Sequence, residues 1–221
     1  GERELFTQIP EPFTDDYVLG DLNLRYDFGT MTLTSITSYA YRDVLVVRDA
    51  GALTSSITGG SMGLPEEVYT LNAPLDDATN SDVVTQELRL AGGAGRLRWL
   101  VGGFFSSNQR DYNQSLIVSG FEAASGVATQ GLRAQRDELF FSDLSYDLQQ
   151  TAVFGEATVG VTDRLDLTAG LRYYSFDEER EQIFDGIFAH DNTGTQIVSQ
   201  PGTADANGLA PRIIATFDLP R

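Results

Sequence analysis

Apolar and polar side chains alternate with a period of two residues along most of the chain. In the segment 97–105, one face carries Leu97, Trp99 and Val101, and the other face begins with Arg98. This period is that of a β-strand, in which successive side chains point to opposite faces. The segment is longer than the about 5–6 residues of an ordinary strand and matches the about 9–11 residues that cross a membrane as a tilted strand. The alternation therefore predicts membrane-spanning strands.

The same alternation recurs in six further segments, which are 17–28, 31–42, 83–91, 152–161, 165–176 and 209–219. No run approaches the about 18–20 apolar residues that a membrane-spanning helix needs. The mean hydropathy of -0.18 would by itself suggest a water-soluble chain. A membrane β-barrel also averages to near neutrality, because only its outward face is apolar. We therefore predict an all-β fold, an antiparallel up-and-down transmembrane barrel that is present in part, with about seven strands.

The connections between the segments alternate between short and long. Tight turns are predicted at 28–30, 92–95 and 162–164, where Gly, Asp and Thr supply hairpin chemistry. Long polar stretches are predicted at 43–82, 111–150 and 178–207. Antiparallel strands place every second connection at the same end, so the short turns share one rim and the long loops share the other. Short periplasmic turns and long extracellular loops are typical of bacterial outer-membrane barrels.

Composition excludes several classes of function. The chain has no cysteine, which removes disulfides, thiol nucleophiles and thiolate metal sites. Its net charge of -17 argues against nucleic acid as a partner. It contains neither a Gly-x-Ser-x-Gly elbow nor a lysine-bearing phosphate loop, so we expect no enzyme. The acidic residues concentrate outside the apolar stretches, where solvated loops are the expected role and divalent-ion binding is the alternative.

Two groups of residues are candidates for a functional site. Polar positions within the predicted strands are Glu87, Arg89, Glu156, Arg172 and Arg212. They would form lumenal salt bridges that hold the barrel and its contents in place, or would contact a ligand path. Aromatic residues in or beside the predicted loops are Phe121, Phe140, Phe141, Tyr146, Phe184 and Phe188. They would form a ligand-binding surface, because rings give large contact areas at low entropic cost, or would pack the loops together.

The single histidine, His190, lies between Asp185 and Asp191 in a predicted loop. A lone histidine beside carboxylates can bind a metal ion. Because no second histidine stands at ligand spacing, we expect an exposed loop residue. We therefore predict neither a metal site nor a cofactor.

Four sequence motifs resemble the barrel region of TonB-dependent receptors. They are TAVFGEATVGVTDRLDLTAGLRYYSFDEER at 151–180, VTQELRLAGG with LRWLVGGFF at 84–105, GLAPRIIATFDLPR at 208–221 and MTLTSITSYAYRD at 31–43. They follow one another in the family order and span nearly the whole chain. The family barrel has about 22 strands and encloses an N-terminal plug. The sequence shows no plug and no segment for binding the energy-transducing protein, so residues 1–221 are expected to be an internal piece of such a barrel.

The resemblance implies a function and a location. The parent protein would be a receptor and transporter in the outer membrane of Gram-negative bacteria, crossing it many times. It would take up a scarce nutrient such as an iron-siderophore, haem, cobalamin or an oligosaccharide. Its partners would be outer-membrane lipid, a small-molecule ligand such as a metal chelate, and the TonB complex acting through the plug. The alternatives are a passive porin-like diffusion barrel, and an outer-membrane enzyme or soluble β-sandwich.

Overall fold

The computed structural model describes residues 7–189 and 198–219. One antiparallel sheet dominates the fold. Its strands are β1 (Phe13–Phe28), β2 (Met31–Asp49), β3 (Pro74–Ala94), β4 (Leu97–Ile117), β5 (Glu138–Gly160), β6 (Leu165–Asp185), β7 (Val198–Ser199) and β8 (Gly202–Phe217). Three short helices, α1 (Gly51–Ser55), α2 (Glu66–Tyr69) and α3 (Phe121–Ser125), lie in the connections, and a π-helical turn (Ser56–Ser61) follows α1. The prediction of about seven long antiparallel strands is confirmed.

The strands follow one another in the sheet in the order of the sequence. β7 and β8 both pair with β6 and are separated by Gln200 and Pro201, so they form one interrupted edge. In the part of the chain that the structure describes, β1 pairs only with β2 and β8 only with β6. The sheet therefore has two open edges. Among the same residues, no helix is long and apolar enough to cross a membrane.

Two of the three short turns are tighter than predicted and one of these lies elsewhere, while the third spans 161–164 instead of 162–164. Two-residue turns at Gly29–Thr30 and Gly95–Arg96 join β1 to β2 and β3 to β4, and both glycines have positive φ, at 70° and 59°. The predicted turn at 92–95 was wrong, because Gly92 belongs to β3 and pairs with Trp99. A Cβ on Gly92 would lie 2.8 Å from Trp99 Cζ2, so this glycine makes room for the indole instead of bending the chain.

The strands also extend much further towards the long loops than predicted. Two long connections shrink to residues 50–73 and 118–137, because β2 to β5 continue for several residues past the predicted ends. The third predicted loop, 178–207, loses its first residues to β6, which ends at Asp185, and its last residues to β8, which begins at Gly202. The segment added to β2 contains four apolar residues, 44–47, while some other added segments are polar on both faces, as in Asp76 to Ser81 of β3. Hydrophobic alternation cannot reveal such segments, although their backbones still form ladder hydrogen bonds.

The long loops contain the hydrophobic core of the described structure. Its buried members are Ala50, Val68, Ala73, Leu116, Val118, Phe121 and Leu139. They come from the ends of β4 and β5 and from the connections that carry the three helices. The expectation that these loops are simply solvated is therefore wrong, because they bury apolar side chains against one another.

Several carboxylates are structural parts of this loop core. Asp185 is fully buried, and it accepts hydrogen bonds from the backbone amides of Arg133 (2.7 Å) and Ala134 (2.8 Å). Asp137 has a φ of 65°, a conformation in which Asp is enriched among non-glycine residues. Its carboxylate accepts hydrogen bonds from the amides of Glu122 (2.8 Å) and Gly120 (3.0 Å), which keep its pKa below the usual value. Asp137 therefore fixes the backbone at the start of α3, and Asp185 fixes that of residues 133 and 134.

Candidate functional site

The strand pairing sorts the side chains into two faces, because directly paired residues of an antiparallel sheet point to the same side. The apolar face is defined by the row that crosses the sheet from β2 to β8. This row contains Leu33, Leu90, Val101, Gly155, Leu171 and Pro211. Val101 (48%) and Leu171 (51%) are exposed, while Leu33 and Leu90 are half-buried. The polar face is the opposite side of the sheet.

The apolar face has the height of a membrane. In β1 the apolar side chains extend from Val18 to Phe28, and in β4 from Leu97 to Phe105. At about 3.3 Å per residue and a tilt of about 35–45°, these stretches rise about 20–25 Å. The lipid-facing band of outer-membrane barrels is about 25 Å tall. A mainly apolar exposed surface of this size is typical of a face that contacts protein or membrane.

The polar face carries every arginine of the described strands. These are Arg25, Arg42, Arg48, Arg89, Arg98, Arg110, Arg172, Arg180 and Arg212. Their positions follow from the pairing, as Thr34 with Arg89 and Gly170 with Arg212 illustrate. The five predicted polar site residues, Glu87, Arg89, Glu156, Arg172 and Arg212, also share this face. Their functional role stays a prediction.

Four of these five residues line one recess on the polar face. The recess has a volume of about 620 Å³ and is lined by Arg89, Glu156, Arg172 and Arg212 among others. Arg212 Nη2 lies 2.6 Å from Glu156 Oε2, and Arg89 forms an ion pair with Glu87. The recess thus gathers the predicted charged residues in the part of the sheet between β3 and the edge strand β8.

Arg172 differs from its neighbours in the recess. Its guanidinium carbon lies 5.5 Å from the centre of the Phe104 ring and 5.9 Å from that of Phe154. Such distances permit a cation–π attraction. Within residues 7–189 and 198–219 it forms no ion pair. The recess therefore holds three guanidinium groups and Glu156, with one positive charge stacked on rings.

The six predicted loop aromatics do not form a single surface. Phe121 is fully buried in α3, and Phe140 and Phe188 pack against the loop core. The Phe140 and Phe184 rings are 6.3 Å apart. For Phe121 this burial favours the interpretation that the ring packs the loops together. A ligand could reach the ring only if the loop core opened.

The other two aromatic candidates lie in β5 on opposite faces. Phe141 pairs with Asp185, and the guanidinium carbon of Arg133 lies 5.6 Å from its ring centre. Tyr146 lies on the polar face, and its hydroxyl accepts a hydrogen bond of 2.8 Å from Gln182 Nε2. Tyr146 thus keeps an accessible position for ligand contact, which stays a prediction.

His190 falls outside the described residues. No group of three His, Asp or Glu side chains among the described residues could hold a metal ion.

Family comparison matches residues 4–220 to the model of the TonB dependent receptor-like, beta-barrel family. The chain belongs to this family. No curated protein sequence matches it. The sequence-based resemblance to TonB-dependent receptors is therefore confirmed at the level of the family.

Two solved receptor structures are similar in fold to this TonB-dependent receptor-like chain. The ferric yersiniabactin uptake receptor FyuA from Yersinia pestis aligns with 97% of this chain at a TM-score of 0.69 and 12% identity. The siderophore receptor PiuA from Acinetobacter baumannii aligns with 94% at a TM-score of 0.57 and 17% identity. The chain covers 28% of the first receptor and 30% of the second. At these identities the likeness concerns the fold alone.

In this receptor-like sheet, sequence analysis missed, apart from Tyr146, a second set of polar-face residues nearer the long loops. Pairing across the sheet places Tyr17, Arg42, Ser81, Arg110, Tyr146 and Arg180 in one row. Most of them fell in or near segments that we expected to be loops. The arginines of one strand all occupy even positions or all occupy odd positions, including those beyond its apolar part. This regularity is the signal that could have revealed the row.

Proposed function

We propose that this chain forms part of the wall of an outer-membrane receptor that takes up a scarce nutrient with energy from the TonB complex. The apolar face would contact lipid, and the polar face would line the lumen. The observation that carries the proposal is the separation of charge between the faces. All nine arginines of the described strands lie on one face, and the opposite face is apolar over a membrane-sized height.

The open edges support a role within a larger barrel. Backbone groups in hydrocarbon need protein partners, so a sheet in lipid must close on itself. The free edges of β1 and β8 would therefore pair with further strands of the complete receptor. The lengths of the two similar receptors agree with this proposal, since each is more than three times as long as the matching part. The complete barrel would also enclose a plug.

The ligand of the complete protein is proposed to be an iron-siderophore. Both similar structures are named for this class of substrate. Haem, cobalamin and oligosaccharides are the other classes that we expected from the sequence. The lumenal charges around Arg89, Glu156, Arg172 and Arg212 would contact the plug or the ligand path and would perform no chemistry. We therefore propose a transporter that is not an enzyme.

Uptake in cells tests this function. The complete protein, expressed in a Gram-negative host without its own siderophore receptors, is supplied with a panel of radioactive ferric siderophores that includes yersiniabactin. We expect uptake of at least one of them, and we expect it to fall to the vector background when the TonB protein is deleted. Uptake that persists without TonB and after collapse of the proton gradient would instead identify a passive diffusion barrel.

Cysteine labelling tests the orientation of the wall. Gly60 lies in the π-helical turn of the first long loop, and a Cβ at this position would meet no atom within 4 Å. The chain contains no native cysteine to give background labelling. A cysteine at Gly60 (Gly60→Cys) should react with a membrane-impermeant maleimide in intact cells.

The matched control for orientation is Thr30→Cys in the β1–β2 turn. This cysteine should stay unlabelled in intact cells and react once the outer membrane is permeabilised. Labelling of the Thr30→Cys variant but not of the Gly60→Cys variant in intact cells would reverse the proposed orientation.

A further inference from the structure

The balance of charge on the polar face leaves one exposed arginine without a counter-ion near the long loops. Seven of the nine strand arginines form ion pairs with carboxylates. The pairs are Arg25–Asp27, Arg42–Asp15, Arg48–Asp77, Arg89–Glu87, Arg98–Asp166, Arg180–Glu178 and Arg212–Glu156. In the described parts of the chain, Arg110 and Arg172 have no such partner. Arg172 belongs to the recess that Arg89, Glu156 and Arg212 also line. Arg110 is therefore the one unpaired strand arginine of the described residues outside that recess.

Arg110 is held by an aromatic ring. Its guanidinium carbon lies 5.6 Å from the centre of the Tyr112 ring. The Tyr112 hydroxyl donates to Asp77 Oδ1 at 2.8 Å, and Asp77 also pairs with Arg48 at 2.7 Å. On the far side of Arg110, Glu178 of β6 is paired with Arg180. The polar-face carboxylates on both sides therefore have other partners, and no carboxylate within residues 7–189 and 198–219 pairs with Arg110.

A recess of about 480 Å³ lies beside this charge. Arg110 forms one wall, and Tyr17 and Arg42 form the other. Between them the recess is lined by the apolar side chains of Ala40, Val44 and Val83 and by the polar residues Thr79 and Ser81. The volume lies in the range of about 300–1,000 Å³ that small-molecule sites occupy.

The chemistry of the walls defines the ligand. A guanidinium group binds a carboxylate or phenolate through parallel charged hydrogen bonds and also stacks on flat rings. The apolar lining residues and the Tyr17 ring favour a ligand that carries a planar group. Arg42 is already bound by both oxygens of Asp15, at 2.9 and 2.6 Å, so Arg110 provides the free charge.

We propose that Arg110, Arg42 and Tyr17 form a binding site for an anionic, ring-bearing part of the transported ligand, such as an aryl carboxylate or a catecholate. The site lies on the polar face, level with the long-loop end of the apolar band. The proposal rests on the proposed function, since it requires a ligand that enters the lumen from the side of the long loops. It narrows the substrate to a metal chelate with a negatively charged ring system.

Calorimetry on the purified complete receptor in detergent tests the site. The two probes are the ferric complex of catechol, which is an anion with rings, and the neutral ferric complex of acetohydroxamate. We expect the wild-type protein to bind the catechol complex more tightly. The Arg110→Gln variant should lose about tenfold to hundredfold in affinity for it, which corresponds to one lost hydrogen bond to a charged group. Affinity for the neutral complex should change less than about twofold.

Two further variants exclude general effects of the substitution. Arg110→Lys keeps the charge but not the planar fork, so its affinity for the catechol complex should be intermediate. Arg96→Gln removes an arginine from the β3–β4 turn at the other rim and should bind both probes as the wild type does. Arg96 is a suitable control because its partner Asp163 is 90% exposed and such surface pairs contribute little.

Four results would overturn the proposal. The wild type could bind the two probes with equal affinity, or it could fail to bind the catechol complex. The Arg110→Gln variant could bind the catechol complex as tightly as the wild type, or it could lose the same factor of affinity for both probes. The measurement needs no TonB protein. Failure of energy-coupled uptake in cells would therefore contradict the proposed function, while failure of the calorimetric test would contradict only the anion site.

Discussion

An arginine in place of Leu88 is expected to lower the free energy of unfolding of the complete barrel in lipid by about 2–4 kcal/mol. Leu88 lies at the middle of the apolar face, is 49% exposed and is flanked by Ser35 on β2 and Gly103 on β4. Neither neighbour carries a charge that could pair with an arginine. At mid-height the guanidinium would have to extend along the wall to reach water, which costs energy in hydrocarbon. Urea titration of the barrel folded into lipid vesicles measures the difference.

The matched control places the same side chain three residues away on the opposite face. Thr85 of β3 pairs with Ser38 and Ser106, which are small and polar. The Thr85→Arg variant should therefore change the free energy of unfolding by less than about 1 kcal/mol, because a lumenal arginine stays hydrated. If Leu88→Arg and Thr85→Arg destabilised the barrel equally, the apolar face would not contact lipid. A larger effect at Thr85 would reverse the assignment of the two faces.

This contrast between neighbouring residues explains why the faces could be predicted from the sequence. In the proposed barrel, lipid would impose one requirement on every strand, which accounts for the different character of the adjacent residues Leu88 and Arg89. A shift of the register by one residue would exchange the two faces. The pairing of Gly92 with Trp99 is consistent with this constraint, since both lie on the apolar face. The glycine-rich run around this pair offered several possible turns, and only the pairing of the whole strands decides among them.

The polar ends of the strands and the loop core could not be predicted in the same way. Between Asp76 and Ser81 both faces of β3 carry mainly polar side chains, so the sequence shows no two-residue alternation of hydropathy there. Val118 and Leu139 are 21 positions apart, and they meet because β4 and β5 pair up to their ends. Burial of Asp185 likewise depends on amides from residues 133 and 134, more than 50 positions away. Such contacts follow from tertiary packing, which a local pattern does not encode.

The same reasoning explains which part of the candidate site was found. Arg89, Glu156, Arg172 and Arg212 lie within the apolar height, where a charged residue stands out against its neighbours. Arg110 lies beyond the apolar part of β4, between polar residues of the sequence, where one more charged residue does not stand out. Its significance comes from the absence of a counter-ion among the described residues, a property that only the paired sheet reveals.

Truncation of Phe121 to alanine is expected to open the loop core while the barrel stays folded. Phe121 is the largest fully buried side chain of the described structure and packs with Val118 and Leu139. A buried Phe→Ala change typically costs about 3–5 kcal/mol, which combines the lost transfer energy with the cavity left behind. The loop core contains only seven buried residues, so a loss of this size should exceed what the remaining contacts can supply.

Amide hydrogen exchange on the complete receptor measures this opening. The reporter amides are those of Val118 and Phe188, which bond the carbonyls of Asp137 and Leu139 at 2.8 and 2.9 Å. In the Phe121→Ala variant they should exchange more than about a hundredfold faster, since about 1.4 kcal/mol corresponds to a factor of ten. Leu132→Ala is the control, because Leu132 lies in the same connection but is 81% exposed, and exchange should stay unchanged. Protected reporter amides in the Phe121→Ala variant would mean that the loops are held by their carboxylate–amide bonds, such as those of Asp185 and Asp137, and not by apolar packing.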